Sequence, residues 1–195
     1  MRLTNDFRDD RHGSGQLGRA IWIALIVTSG VCLSSVFACV TPFAALATLA
    51  ALKLSRRDTI AVVGSVWLAN QAIGYGYLGY PWTWDSAAWG LAIGASAGLA
   101  TLAAKGLSTT RPAPLAVSLP FVAAFTAFEL GLYFAGAALP GTQGAFTAQV
   151  VWHVFLVNAV SLCALMAVYQ LVMAVGFLTR HNPSTPLGAG AASFR

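Results

Sequence analysis

Glu129 is the one charged residue that lies well inside an apolar segment of this sequence. A carboxylate in that setting costs roughly 2.5–3.5 kcal/mol on membrane-insertion scales, so it is expected to face a bundle interior or a wet cavity and to have a partner. His153, in the last long apolar segment, is the natural partner. Tyr133 lies one turn from Glu129 and Gln149 one turn from His153, on matching helix faces. The adjacent amides Asn70 and Gln71 interrupt another apolar segment. Directly after them, Ile73 to Asp85 reads I-G-Y-G-Y-L-G-Y-P-W-T-W-D. A carboxylate, an imidazole, two amides and flat aromatic rings are what a small-molecule site needs. The polar groups orient the ligand and Trp or Tyr stacks on a flat ring. The candidate substrate-binding set is therefore Asn70, Gln71, Trp82, Trp84, Glu129 and His153, with the Tyr-Pro-Trp-Thr-Trp-Asp loop as a lid. The competing reading is a hydrogen-bonded plug that fixes helix packing.

Other chemistries fit less well. Gly74-Tyr-Gly76-Tyr-Leu-Gly79 matches G-x-G-x-x-G, but a dinucleotide site needs a strand before it and a helix opening inside it; here a helix precedes and Pro81 follows. Ile73-Gly74-Tyr75-Gly76 resembles the filter of potassium channels, whose carbonyls replace an ion's hydration shell, yet Gln71 and Ala72 stand where that filter has threonines. Gly94-Ala-Ser96-Ala-Gly98 fits G-x-S-x-G, and with His153 it is similar to the serine and histidine of rhomboid intramembrane proteases. That family has G-x-S-G, whereas position 97 is Ala. An ion channel and an intramembrane serine protease are thus minor alternatives, and no residue is assigned a catalytic role. The three histidines, His12, His153 and His181, form no metal constellation, and no cofactor is expected. Cys32, Cys39 and Cys163 match no zinc spacing and are expected to be small buried packing residues.

These residues must be positioned by elements that live in lipid. The chain has 195 residues, 57% hydrophobic and 9% charged, with mean hydropathy +0.71. Soluble domains carry about 25% charged residues. The net charge of +5 sits at the ends of apolar runs, which is how membrane topology is written, and lacks the aromatic interleaving of a nucleic-acid surface. The first 19 residues are too long and too acidic for a signal-peptide leader, so the first apolar segment is expected to be retained. Ala20 to Leu52 would make a helix of about 50 Å against a hydrocarbon core of about 30 Å. Thr41-Pro42 is the place to break it, giving helices near 20–38 and 41–54, with one long kinked helix as the alternative.

Further helices are expected near 59–77, 85–104, 115–139 and 146–178. Ser55 or Asp58 can cap the first of these. The fold class is all-α, a polytopic integral membrane protein built as a compact bundle of about six transmembrane helices over 20–180. A polar cytoplasmic segment, 1–19, precedes it and a disordered cytoplasmic tail, 181–195, follows it. With six crossings, Arg19, Lys53 to Arg57, Lys105 with Arg111, and Arg180 share one side. The loops Gly79–Asp85 and Pro140–Gly144 carry no Lys or Arg. The positive-inside rule then places both termini in the cytoplasm of a bacterial-type inner membrane and the tryptophan loop at the outer interface. Gly90, Gly94 and Gly98 form two GxxxG steps that allow close helix approach.

Six short helices, cytoplasmic termini, small-residue faces near the start and an outer polar-aromatic pocket resemble the substrate-binding S-components of energy-coupling-factor vitamin transporters. That family carries an A-x-x-x-A docking face on its first helix; the nearest match here is Ala47-x-x-x-Ala51, on the second predicted helix. The resemblance implies capture of a vitamin-like or metal-containing compound and a partner transport ATPase or coupling subunit, since this chain has no phosphate-binding G-x-x-x-x-G-K loop. The alternative is a non-transporting accessory or assembly subunit of a larger membrane complex.

Overall fold

The computed structural model describes residues 41–108 and 113–180. The predicted helix at 20–38, the segment 1–19, the tail 181–195, and Cys32 and Cys39 lie outside the described residues. Within them the chain forms five helices and no strand: α1 (Phe43–Lys53), α2 (Arg56–Gly76), α3 (Trp84–Leu107), α4 (Ala113–Ala138) and α5 (Ala148–Arg180). Three stretches are long and apolar enough to cross a membrane: Trp84–Leu107, Leu115–Ala138 and Ala148–Ala174. Their outer faces are apolar as well, with Leu91, Leu102 and Leu171 each about two-thirds exposed. Water would penalise such a surface, whereas lipid tails match it. This is the build of an integral membrane protein.

Helix α1 is the centre of the bundle. It starts directly after Pro42, as the break at Thr41-Pro42 requires, and contacts all four other helices. No residue from Phe43 to Ala51 is more than 2% exposed. Its 11 residues span only about 16 Å at 1.5 Å per residue, about half of a hydrocarbon core of about 30 Å. The segment expected as a crossing near 41–54 is therefore a half-length helix enclosed by protein.

Buried helix ends need partners for their free amides and carbonyls. At the α1 N-terminus the Ala45 N–H donates to Asn158 Oδ1 of α5 at 3.2 Å. At its C-terminus Lys105 Nζ of α3 donates to the Ala51 carbonyl at 2.8 Å and the Leu54 carbonyl at 3.1 Å. Thr59 Oγ1 of α2 adds a bond to the Ala50 carbonyl at 3.0 Å. The side chains that clasp α1 thus come from three later helices. Lys53 itself lies over the Tyr169 ring, 5.0 Å from its centroid.

Local chemistry sets the remaining boundaries. Ser55 caps α2: its hydroxyl accepts from the Asp58 N–H at 3.3 Å and donates to Asp58 Oδ2 at 2.8 Å. Helices α3 and α4 pack along their lengths, and the close approach falls at Gly131, where a Cβ would lie 2.5 Å from Ser96 Oγ. The G-x-S-x-G motif therefore sits in packing, with Ser96 1% exposed. Gly90 and Gly94 make room for side chains of α2: Gly94 admits the Trp67 ring, whose Nε1 donates to the Gly90 carbonyl at 2.8 Å. Helix α5 packs chiefly on α1 and meets α4 through rings, with Phe155 5.1 Å from Phe125 and 5.5 Å from Phe121. Cys163 is exposed on α5, not buried as expected, because Asn158, Ser161, Leu162 and Leu165 take the inward face.

Candidate functional site

Helix direction alternates from α2 to α5, so the α2–α3 and α4–α5 connections share one end of the bundle. Lys53, Arg56, Arg57 and Lys105 lie at the opposite end. The two connections are tied together where Trp89 Nε1 of α3 donates to the Pro140 carbonyl at 2.9 Å.

A cavity of about 490 Å³ opens at this loop end. Asn70 and Glu129 both line it, together with Thr41 and the rings of Phe43, Trp89, Phe128 and Phe146. Asn70 Nδ2 donates to Thr41 Oγ1 at 2.7 Å, and Asn70 Oδ1 accepts from Gln71 Nε2 at 3.3 Å. The Asn70 amide is thus engaged on both of its polar atoms. The half-buried Glu129 carboxylate forms no hydrogen bond or ion pair among the described residues. Residues 141–146 form the roof. Gly141 and Gly144 hold φ of 92° and 80°, which side-chain-bearing residues rarely adopt, and Gly136 leaves space for the Thr142 methyl. Phe146 is steadied by an edge-on contact with Tyr133, ring centroids 5.5 Å apart.

The expected site is divided. Gln71, Trp82 and Trp84 line a second cavity of about 520 Å³, with Trp67, Tyr75 and Gly90. Successive residues of a helix point about 100° apart, which sends Asn70 to one cavity and Gln71 to the other. The tryptophan loop consequently does not cover Glu129; the roof there belongs to 141–146. Trp82 is 85% exposed and leans on Tyr75, ring centroids 4.7 Å apart. The preceding chain folds back on α2, where Gly74 admits the Tyr80 ring and the Tyr80 N–H donates to the Gly74 carbonyl at 3.0 Å.

His153 joins neither cavity. It is exposed on α5 beside Trp152, while Val150 and Val154 face the Glu129 cavity. The expected Glu129–His153 pair is therefore not formed. Gln149 is exposed too. No family model, curated protein or solved structure matches this chain.

Sequence reasoning missed Thr41, Trp89 and Phe146 as cavity residues and Asn158 as the anchor of α1. Asn158 carried a signal, since it is an amide in mid-segment between Val157 and Ala159. Trp89 and Phe146 carried none, being aromatic residues in apolar surroundings. Among the described residues no group of three or more His, Cys, Asp or Glu is placed to hold a metal ion. A third, apolar groove of about 460 Å³ runs between α2 and α3, past Gly64 and Gly98, next to which no described residue fills the space.

Proposed function

We propose that this protein is the substrate-binding subunit of a membrane transporter. In this reading it is a bundle of about six spans with both termini in the cytoplasm, and its loop end faces outward. It captures a vitamin-like or metal-containing small molecule in the Glu129 cavity. A partner transport ATPase or coupling subunit then supplies the energy. The carrying observation is the cavity of about 490 Å³ at the end of the bundle where no described Lys or Arg lies, walled by aromatic rings around Asn70 and Glu129. Its volume falls in the usual range for small-molecule sites, about 300–1,000 Å³, and its make-up of apolar wall and few polar groups is theirs as well. Half-length helices ending at a cavity inside the membrane are a recurrent way for transporters to build a site, and Phe43, the first residue of α1, lines this one.

The test is a thermal-shift screen of the purified protein against vitamins and metal chelates, followed by titration of the hits. Saturable binding lost on Glu129→Gln or Phe146→Ala supports the reading. Absence of any saturable ligand, with a stoichiometric protein partner co-purifying, favours the second reading, an accessory subunit of a larger complex. The observation on that side is the open apolar groove beside Gly64 and Gly98, which has room for a foreign helix.

A further inference from the structure

Taking the Glu129 cavity to be a ligand site, we propose that its ligand carries a positively charged amine, which docks on the Glu129 carboxylate while a flat apolar body lies among the rings. The inference concerns the sign of the ligand's charge, which the uptake reading leaves open.

Four observations carry it. First, Asn70 gives one of its two donors to Thr41 and one lone pair to Gln71, and the single N–H of Trp89 is engaged by the Pro140 carbonyl. Glu129 is the cavity's charged group and has no partner among the described residues. Second, no described Lys or Arg is near enough to neutralise it. Lys105 holds the Ala51 and Leu54 carbonyls at the far end, and Lys53 lies over Tyr169. Third, Phe43, the first residue of α1, lines the same cavity and adds a further ring to its wall. Fourth, Phe128, Phe146 and Trp89 line the cavity, and aromatic rings offer an ammonium group the negative charge of their faces. An unpaired carboxylate in such a wall repels a carboxylate or phosphate ligand, and a neutral hydrogen-bond donor compensates it less than a cation does. A protonated amine supplies the missing partner and the flat body fills the apolar volume.

The experiment uses the full chain in lipid nanodiscs and matched probes that differ only in charge: phenethylamine, 2-phenylethanol and phenylacetate, and likewise tryptamine, tryptophol and indole-3-acetate. Saturable binding is read by calorimetry in wild type, Glu129→Gln and Glu129→Asp. The expected result is that the amines bind at least tenfold more tightly than their alcohols and that the carboxylates do not bind. Glu129→Gln should remove that preference, and Glu129→Asp, which keeps the charge, should retain it. Partition of amines into lipid is independent of residue 129 and cancels between variants. Alcohols or carboxylates that bind as well as amines would overturn the charge assignment and leave the cavity as a ligand site. So would an amine preference that survives Glu129→Gln. If no probe of any charge binds to wild type or to either variant, the amine assignment falls, while the uptake reading stands or falls separately with the vitamin and chelate screen.

Discussion

The half-length helix α1 and the Glu129 cavity meet at Phe43, yet they handle polar groups in opposite ways. Around α1, buried amides and carbonyls are matched by side chains from other helices: Asn158, Lys105 and Thr59. At the cavity wall the carboxylate of Glu129 is left open. The same low-dielectric surroundings make unmatched polar groups costly in both places. A group matched within the protein holds the fold, while one left open at a cavity is available to a ligand. The contrast separates residues whose loss should unfold the protein from residues whose loss should only silence it.

The largest effect is expected from Asn158→Ala. It strands the Ala45 N–H in the core and leaves a void, at a cost of about 3 kcal/mol, measured by reversible unfolding in mixed micelles. Unchanged stability would show that α1 is not held from α5. Lys105→Met should come next, at about 2 kcal/mol, because two carbonyls at the α1 C-terminus lose their donor; the same unfolding curve reads it. Ser161→Ala should move the other way. Ser161 is 0% exposed, its Oγ has no hydrogen-bond partner among the described residues, and it lies one turn beyond Asn158. Removing that hydroxyl should stabilise the protein by up to about 1 kcal/mol. A loss of stability would reveal a partner and remove the exception from the matched side. Trp82→Ala should be the smallest, within about 0.5 kcal/mol, since its side chain is 85% exposed. Ligand affinity at the Glu129 cavity should also be unchanged, because Trp82 lines the other one. A large loss of affinity in that variant would rejoin the two cavities into one site.

The helices were legible because their ends are chemical. Pro42 precedes α1, Ser55 caps α2, and Pro140 with Gly141 closes α4, so the predicted bounds near 59–77, 85–104 and 115–139 lie close to Arg56–Gly76, Trp84–Leu107 and Ala113–Ala138. Helix faces were not legible. In water, alternating hydrophobic and polar residues reveal which side of a helix is buried, but a helix that meets lipid on one side and protein on the other is apolar on both. Depth placed Glu129 and His153 at one level of the bundle. Rotation about the helix axis, which depth cannot give, put Glu129 on a cavity and His153 on the outside. The same rotation separated Asn70 from Gln71. Asn158 could have been read correctly, since an amide amid Val157, Ala159 and Val160 has reason to persist only if it holds something.

The clasp on α1 has a consequence for the order in which the protein is made. The ribosome delivers Phe43–Lys53 before the other described helices, but the amide that receives the Ala45 N–H arrives 113 positions later. Until α5 is synthesised, the top of α1 lacks that partner and one wall of its enclosure, with α2, α3 and α4 packing on its other sides. A segment of about 16 Å cannot stand alone across a bilayer while it waits. Its place is settled only once α5 has entered, so the centre of the described bundle is completed after the helices around it.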